Sequence, residues 1–228
     1  MAIARARVIY GCCAGVRRKR VTSLSSRAQF ALALVQLRSK RDPHMKCAAR
    51  SRIRVRMTIV GVVSDTHLPS FGRALPRELE RGLRDAGVSR ILHMGDMTQL
   101  LCVELFEHIA PFDGVAGNND GDDLRARFGR KKILTIEDVR VGLVHGDGKL
   151  GNALTNATAA FRPKDVDVVC FGHSHRPMHE RYDSGVLFFN PGSPTDKRVN
   201  PRYSYGIMRV DGAQLDLQLH YYTDRSTD

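Results

Sequence analysis

The sequence predicts an α/β domain built as a sandwich of two facing mixed β-sheets with helices on the outside. Three observations carry that prediction. From residue 57 onward, Val- and Ile-rich runs alternate with apolar residues at helical spacing, the pattern of parallel strands joined by crossover helices. Beyond residue 131 the alternation gives way to paired short runs typical of antiparallel hairpins. Five of the runs stop abruptly at an acid, an amide or an imidazole.

The first strand is Thr58 to Ser64, seven residues that read as buried and run into Asp65-Thr66-His67. Leu75, Leu79 and Leu83 then recur at helical spacing, with Pro76 near the start and Gly87 past the end. A second strand, Arg90 to Met94, leads into Gly95-Asp96. The next helix presents Leu101, Leu105 and Ile109 on one face and stops at Pro111. Phe112 to Ala116 leads into Gly117-Asn118-Asn119-Asp120, and 121–129 reads as a loop.

Runs 132–136 and 139–144 flank Glu137-Asp138 as a hairpin, and the second ends at His145-Gly146. Leu150, Leu154, Ala157 and Phe161 mark a helix stopped by Pro163. The strand Val166 to Phe171 ends in Gly172-His173-Ser174-His175. Short antiparallel strands finish the chain at 179–183, 186–189, 203–210 and 215–222, the last pair turning on Asp211-Gly212.

Composition bounds the function. The chain has 228 residues and a formal charge of +12, which alone points to a nucleic-acid or membrane partner. The charge is not spread evenly. Residues 1–56 hold 15 of the 36 Lys and Arg and only one acid, Asp42, leaving 21 basic against 23 acidic groups in 57–228. The predicted organisation is therefore a basic, disordered leader or mis-assigned start over 1–56 and one domain over 57–228. Met57 as the true first residue is the simplest reading of the leader. A basic arm or an Arg- and Ser-rich transit peptide are the alternatives. With the domain close to neutral, no nucleic-acid partner is expected. No apolar run reaches 18 residues, so no membrane partner is expected either. Five cysteines without a CxxC spacing argue against a disulfide framework and fit the cytoplasm. Cys102 and Cys170 read as core residues.

The strand ends together supply Asp65, His67, Asp96, Asn118, His145, His173 and His175. Groups at the carboxyl ends of strands in an α/β sheet converge on one crevice. Seven N and O donors exceed what one four-coordinate zinc takes. They suit two divalent ions of higher coordination sharing one carboxylate, and the lack of Cys ligands disfavours a structural zinc. His93 reads as a core or supporting group rather than a ligand, and His108 as solvated. His179 and His220 lie on late strands without a ligand role.

In order along the chain stand Asp65-Thr-His67, Gly95-Asp96, Gly117-Asn118, His145-Gly146 and Gly172-His173-Ser-His175. In these motifs the chain resembles the calcineurin-like metallophosphoesterases. Its compact length and the later Asn190-Pro-Gly-Ser193 resemble the small single-domain phosphodiesterases of the YfcE type, a branch that includes the retromer's phosphoesterase-like subunit. The resemblance implies the metallophosphoesterase sandwich, with Asp65, His67 and His175 on a first metal, Asn118, His145 and His173 on a second, and Asp96 bridging. It implies Mn²⁺ first, with Ni²⁺, Fe²⁺ or Zn²⁺ as alternatives, and hydrolysis of a small phosphodiester by hydroxide activated between two metals. It also has Asn190 to Ser193 line the cleft, where composition alone gives a turn. Homo-oligomerisation is left open.

Two departures refine this. Most of the superfamily has a His after Gly-Asn, where this chain has Asn119, which donates a hydrogen bond but delivers no proton near neutral pH. Asn119 and Asp120 are nonetheless the candidate catalytic residues, Asp120 by fixing the loop or an imidazole. After Gly95-Asp96 comes Met97-Thr98-Gln99-Leu100, without the phosphate-clamping Arg of the Ser/Thr protein phosphatases. The alternative function is a catalytically weak module of the same fold acting through protein contacts. A nuclease recruited by the basic leader is a further rival.

Overall fold

A computed structural model describes residues 57–227, so the expected leader over 1–56 lies outside the described residues. Two five-stranded sheets face each other. The first contains β1 (Thr58–Val63), β2 (Arg90–His93), β3 (Phe112–Gly114), β9 (Tyr203–Asp211) and β10 (Gln214–Tyr222) in the order β10-β9-β1-β2-β3. The second contains β4 (Lys131–Ile136), β5 (Val139–Val144), β6 (Val168–Cys170), β7 (Met178–Arg181) and β8 (Leu187–Asn190) in the order β4-β5-β6-β8-β7. Both are mixed. β1, β2 and β3 run parallel, and so do β5, β6 and β8, while β9, β10, β4 and β7 pair antiparallel.

The core between the sheets is made by alternate residues of the facing strands. Val60, Val62, Leu92 and Met94 meet Val141, Leu143, Cys170 and Phe189. On the outer face of the first sheet, α1 (Arg77–Asp85), α2 (Leu100–Glu107) and α3 (Asp122–Phe128) bury Leu79, Leu83, Phe106 and Leu124 against Val63, Ile91 and Ile207. On the outer face of the second, α4 (Ala153–Ala160) sets Ala153 and Ala157 against Val169, Phe171 and Phe188. A cavity of about 580 Å³ lies on this outer face between Phe161, Val166, Tyr182 and Phe188, and none of the seven donors lines it.

Three local expectations change. The stretch read as a loop over 121–129 contains α3, whose seven residues bury only Leu124 and Phe128, one turn apart, between Gly121 and Gly129. In α2 the buried face is Cys102, Val103 and Phe106, while Leu101 and Leu105 are half-buried and Ile109 lies past the end. In α4, Leu150 precedes the helix and is 67% exposed, and Phe161 follows its last residue. Asn152 caps this helix, accepting the Thr155 N–H at 2.9 Å. Asn156 is buried alongside Ala153 and Ala157. Its Nδ2 donates to the carbonyls of Gly146 and Gly148, both at 3.0 Å, and so fixes the loop after His145.

Candidate metal centre

All seven expected donors come from segments at the carboxyl ends of strands, and the structure brings them together. The loops after β1, β2 and β3 supply Asp65, His67, Asp96 and Asn118, and those after β5 and β6 supply His145, His173 and His175. Asp65, His67 and His175 form one group and Asp96, His145 and His173 another, the ligand-type atoms within each lying within 4.8 Å of one another. Within and between the groups, His67 Nε2 lies 3.3 Å from His175 Nε2, and His175 Nε2 lies 3.4 Å from Asp65 Oδ1. Asp96 Oδ2 lies 3.3 Å from His145 Nε2 and 3.7 Å from His67 Nε2, so one oxygen faces both groups. Asn118 Oδ1 joins the second group, 3.2 Å from His145 Nε2.

The sequence must bend sharply to point these side chains inward. Asp65, His67, Asp96, His173 and His175 all have positive φ, between 47° and 67°. A non-glycine residue there costs on the order of 1 kcal/mol or more, and such strain concentrates at functional sites. Gly117 has the opposite reason. A Cβ on it would stand 2.1 Å from Asp96 Oδ1 and 2.5 Å from Asp96 N, so only glycine lets the two loops approach.

The surrounding hydrogen bonds aim the donors. His145 Nδ1 lies 2.7 Å from the Met94 carbonyl and His175 Nδ1 lies 2.6 Å from the Asp196 carbonyl. A carbonyl only accepts, so each Nδ1 carries a proton and each Nε2 faces the centre, the usual arrangement around metal-binding imidazoles. Donors about 2.0–2.2 Å from an ion lie roughly 3–4 Å from one another, the spacing found here. The residues present therefore fit divalent ions.

Asn119 and Asp120 both hydrogen-bond to Asp96. Asn119 Nδ2 donates to Asp96 Oδ2 at 2.7 Å and its backbone N–H to Oδ1 at 2.9 Å. Asp120 is 2% exposed, and its carboxylate accepts the N–H groups of Asp96, Thr98 and Gly117 at 2.9, 2.7 and 2.6 Å. These three hydrogen bonds tie together the loops that carry Asp96, Thr98 and Gly117.

Burial and the neighbouring groups shape the charges. Burial pushes the Asp65 carboxyl up to about 7, despite the neighbouring His145 charge and the Ser64 hydroxyl. Burial also raises the Asp96 carboxyl, but the His145 hydrogen bond and charge and the Asn119 donors outweigh it and hold the group well below the usual carboxylate range. His145 is pushed down by burial and up, to about 9 in all, by the Asp96 hydrogen bond and the Asp65 charge. Burial lowers His67 and His173, and takes His175 to about 4.

His93 is a supporting residue. It is fully buried, its Nδ1 accepts the Gly95 N–H at 3.1 Å, and its Nε2 therefore donates to Thr66 Oγ1 at 2.7 Å. The Asn190 to Ser193 turn lies under the centre: Asn190 Nδ2 donates to the Gly172 carbonyl at 3.0 Å and Ser193 Oγ to the Asp65 carbonyl at 2.7 Å. Sequence reasoning missed Met94 and Asp196, which act through main-chain carbonyls and leave no signature. It also missed Thr195, whose hydroxyl donates to the Thr66 carbonyl at 2.6 Å.

The calcineurin-like phosphoesterase superfamily domain matches residues 57–213. The chain belongs to that family. Among calcineurin-like relatives, a probable metallophosphoesterase of Methanothermobacter thermautotrophicus is 33% identical over 71% of this chain and 91% of that protein. A phosphodiesterase of Methanocaldococcus jannaschii is 29% identical over 58% of this chain and 82% of its own length. The crystal structure of Entamoeba histolytica Vps29 complexed with zinc shares the fold, with a TM-score of 0.60 at 21% identity, over 72% of this chain and 98% of that one. The superfamily is metal-dependent, and in this member the two donor groups are the candidate sites.

Proposed function

We propose that this chain is a phosphodiesterase that hydrolyses small phosphodiesters with two divalent ions, Mn²⁺ being the first to test. The observation that carries the reading is Asp96 Oδ2, which stands between two donor groups and faces an imidazole of each. Asp65, His67 and His175 would hold one ion, and Asn118, His145 and His173 the other. Such a pair of ions ionises water near neutral pH and neutralises charge on phosphoryl oxygens. The chain's own residues do the rest. Met94 and Asp196 keep protons on the outer nitrogens of His145 and His175, Asn119 orients Asp96, and Asp120 locks the loops carrying both. Since the Asn119 amide cannot protonate a leaving group, the reading favours esters whose leaving groups depart unaided. The two buried free thiols support a reducing compartment such as the cytoplasm. Among the described residues no helix is long and apolar enough to cross a membrane.

The test is hydrolysis of bis(p-nitrophenyl) phosphate against p-nitrophenyl phosphate, with metal-stripped protein, with Mn²⁺ restored, and with Asp96→Asn. Mn²⁺-dependent diester cleavage lost in Asp96→Asn is expected. A folded, metal-loaded protein that turns over neither ester would overturn the reading. It would leave the module acting through protein contacts, which the 25% identity to the vacuolar protein sorting-associated protein 29 of Schizosaccharomyces pombe supports.

A further inference from the structure

Each of the two sheets has two edge strands, and three of these four edges are guarded. An open edge is a template for pairing with another chain, and proteins blunt it by shortening the strand or placing charge, above all lysine, on it. β3 is three residues long and carries Asp113, whose carboxylate pairs with Lys132. β7 is four residues long and carries Glu180 and Arg181. β4 opens with Lys131 and Lys132. β10 has none of these devices. It runs nine residues, from Gln214 to Tyr222, with a single charged side chain, Asp216, and no Lys, Arg, Pro or Gly. One side of β10 pairs with β9 along its whole length, and among the described residues no strand pairs with the other side.

The strand is also complementary to itself. Gln218 is its middle residue, so a second copy laid antiparallel with Gln218 on the two-fold axis gives all nine residues a partner. Side chains alternate between faces, and directly opposite residues share a face. On the face turned to the sandwich core, this register sets Leu217 opposite Leu219 and Leu215 opposite Tyr221. The three leucines already pack in the cluster between the sheets, and Tyr221 is 41% exposed in the single chain. On the other face it sets Asp216 opposite His220. His220 Nε2 is buried without a hydrogen-bond partner among the described residues, and this register offers it a carboxylate. Moving the axis off Gln218 leaves strand ends unpaired and separates Asp216 from His220.

We propose that β10 is a homodimer interface, two copies pairing antiparallel about Gln218 so that their first sheets join into one of ten strands. None of the seven donors lies on β10, so each copy keeps its own candidate metal centre. The test is sedimentation equilibrium of the full chain over a concentration series. Association from the monomer mass of 25.4 kDa to twice that mass is expected. Gln218 is exposed, so replacing it leaves the core untouched. Gln218→Lys sets two lysines face to face on the axis and Gln218→Glu two carboxylates, and like charges directly opposite destabilise a strand pair. Each variant alone is expected to need about fivefold higher concentration or more to dimerise. An equimolar mixture of the two is expected to return to the wild-type midpoint, because lysine then faces glutamate. A wild-type chain that stays monomeric overturns the proposal. So does a dimer that neither variant weakens, or one that mixing the variants fails to restore.

Discussion

Asn119 holds Asp96 by both ends: its side-chain amide donates to Oδ2 at 2.7 Å and its backbone N–H to Oδ1 at 2.9 Å. The residue that replaces the superfamily's His thus aims the carboxylate that faces both donor groups. Asn119→Ala keeps the backbone contact and removes the other. Loss of such an orienting partner costs roughly 10–100-fold in metal affinity. Titration with Mn²⁺ under chelator competition should show that loss, and unchanged affinity would mean the amide does not orient Asp96.

Asp120 gives a stability prediction. Its carboxylate accepts three backbone N–H groups in a site 2% exposed, and Asn in its place offers one acceptor oxygen. Hydrogen bonds to charged groups contribute about 1.5–3 kcal/mol each. Asp120→Asn should therefore lower the unfolding free energy of the metal-free protein by about 3 kcal/mol in urea denaturation. A loss under about 1 kcal/mol would show that the loops hold without it.

Metal binding should release protons. His145 is pushed up to about 9 and Asp65 to about 7, so near pH 7.5 the metal-free centre carries a proton on His145 and a partial one on Asp65. For both groups the folded value exceeds the unfolded one. The stability they contribute is full below the unfolded values of 6.5 and 3.8, and is lost as pH rises through 9 and 7 respectively. An ion reverses this preference by displacing the protons. Calorimetry in buffers of different ionisation enthalpy should show release of about one proton or more on loading, with apparent affinity rising with pH.

His93 works in the opposite direction. Burial, with the His145 charge adding to it, pushes its imidazole down to about 3, so the folded state binds fewer protons than the unfolded state between pH 3 and 6.5. Stability is thus lost as pH falls below 6.5, by roughly 5 kcal/mol once pH reaches 3. His93→Asn should lose this dependence, so the gap between wild type and variant should narrow by a few kcal/mol from pH 7 to 4 in parallel denaturations.

The strands were legible from their Val- and Ile-rich runs, and four of the expected donors, Asp96, Asn118, His145 and His173, also stand beside a glycine. That local pattern survives without knowledge of the fold. The helices were read less well. Cys102 and Val103 carry the buried face of α2 although Leu101 and Leu105 look more apolar, because the sheet beneath decides which face is covered. Asn156 is buried for the carbonyls it satisfies, which a hydrophobic period cannot signal. Helix α3 was missed because two apolar residues do not define a period. Most of what supports the centre was illegible for another reason. Met94 and Asp196 act through carbonyls that every residue possesses, and only the fold puts them beside an imidazole.

Each donor group draws on both sheets, which has a consequence for biosynthesis. Asp65, His67 and Asp96 emerge early from the ribosome, but one group lacks its last member until His175 has been made and the other until His173. β1, which carries Asp65 and His67 at its end, must also wait for β9 as its antiparallel neighbour. A growing chain therefore holds only part of either donor group until those last members are made. Completion of either candidate site is thus a late event in synthesis, coincident with a nearly finished domain.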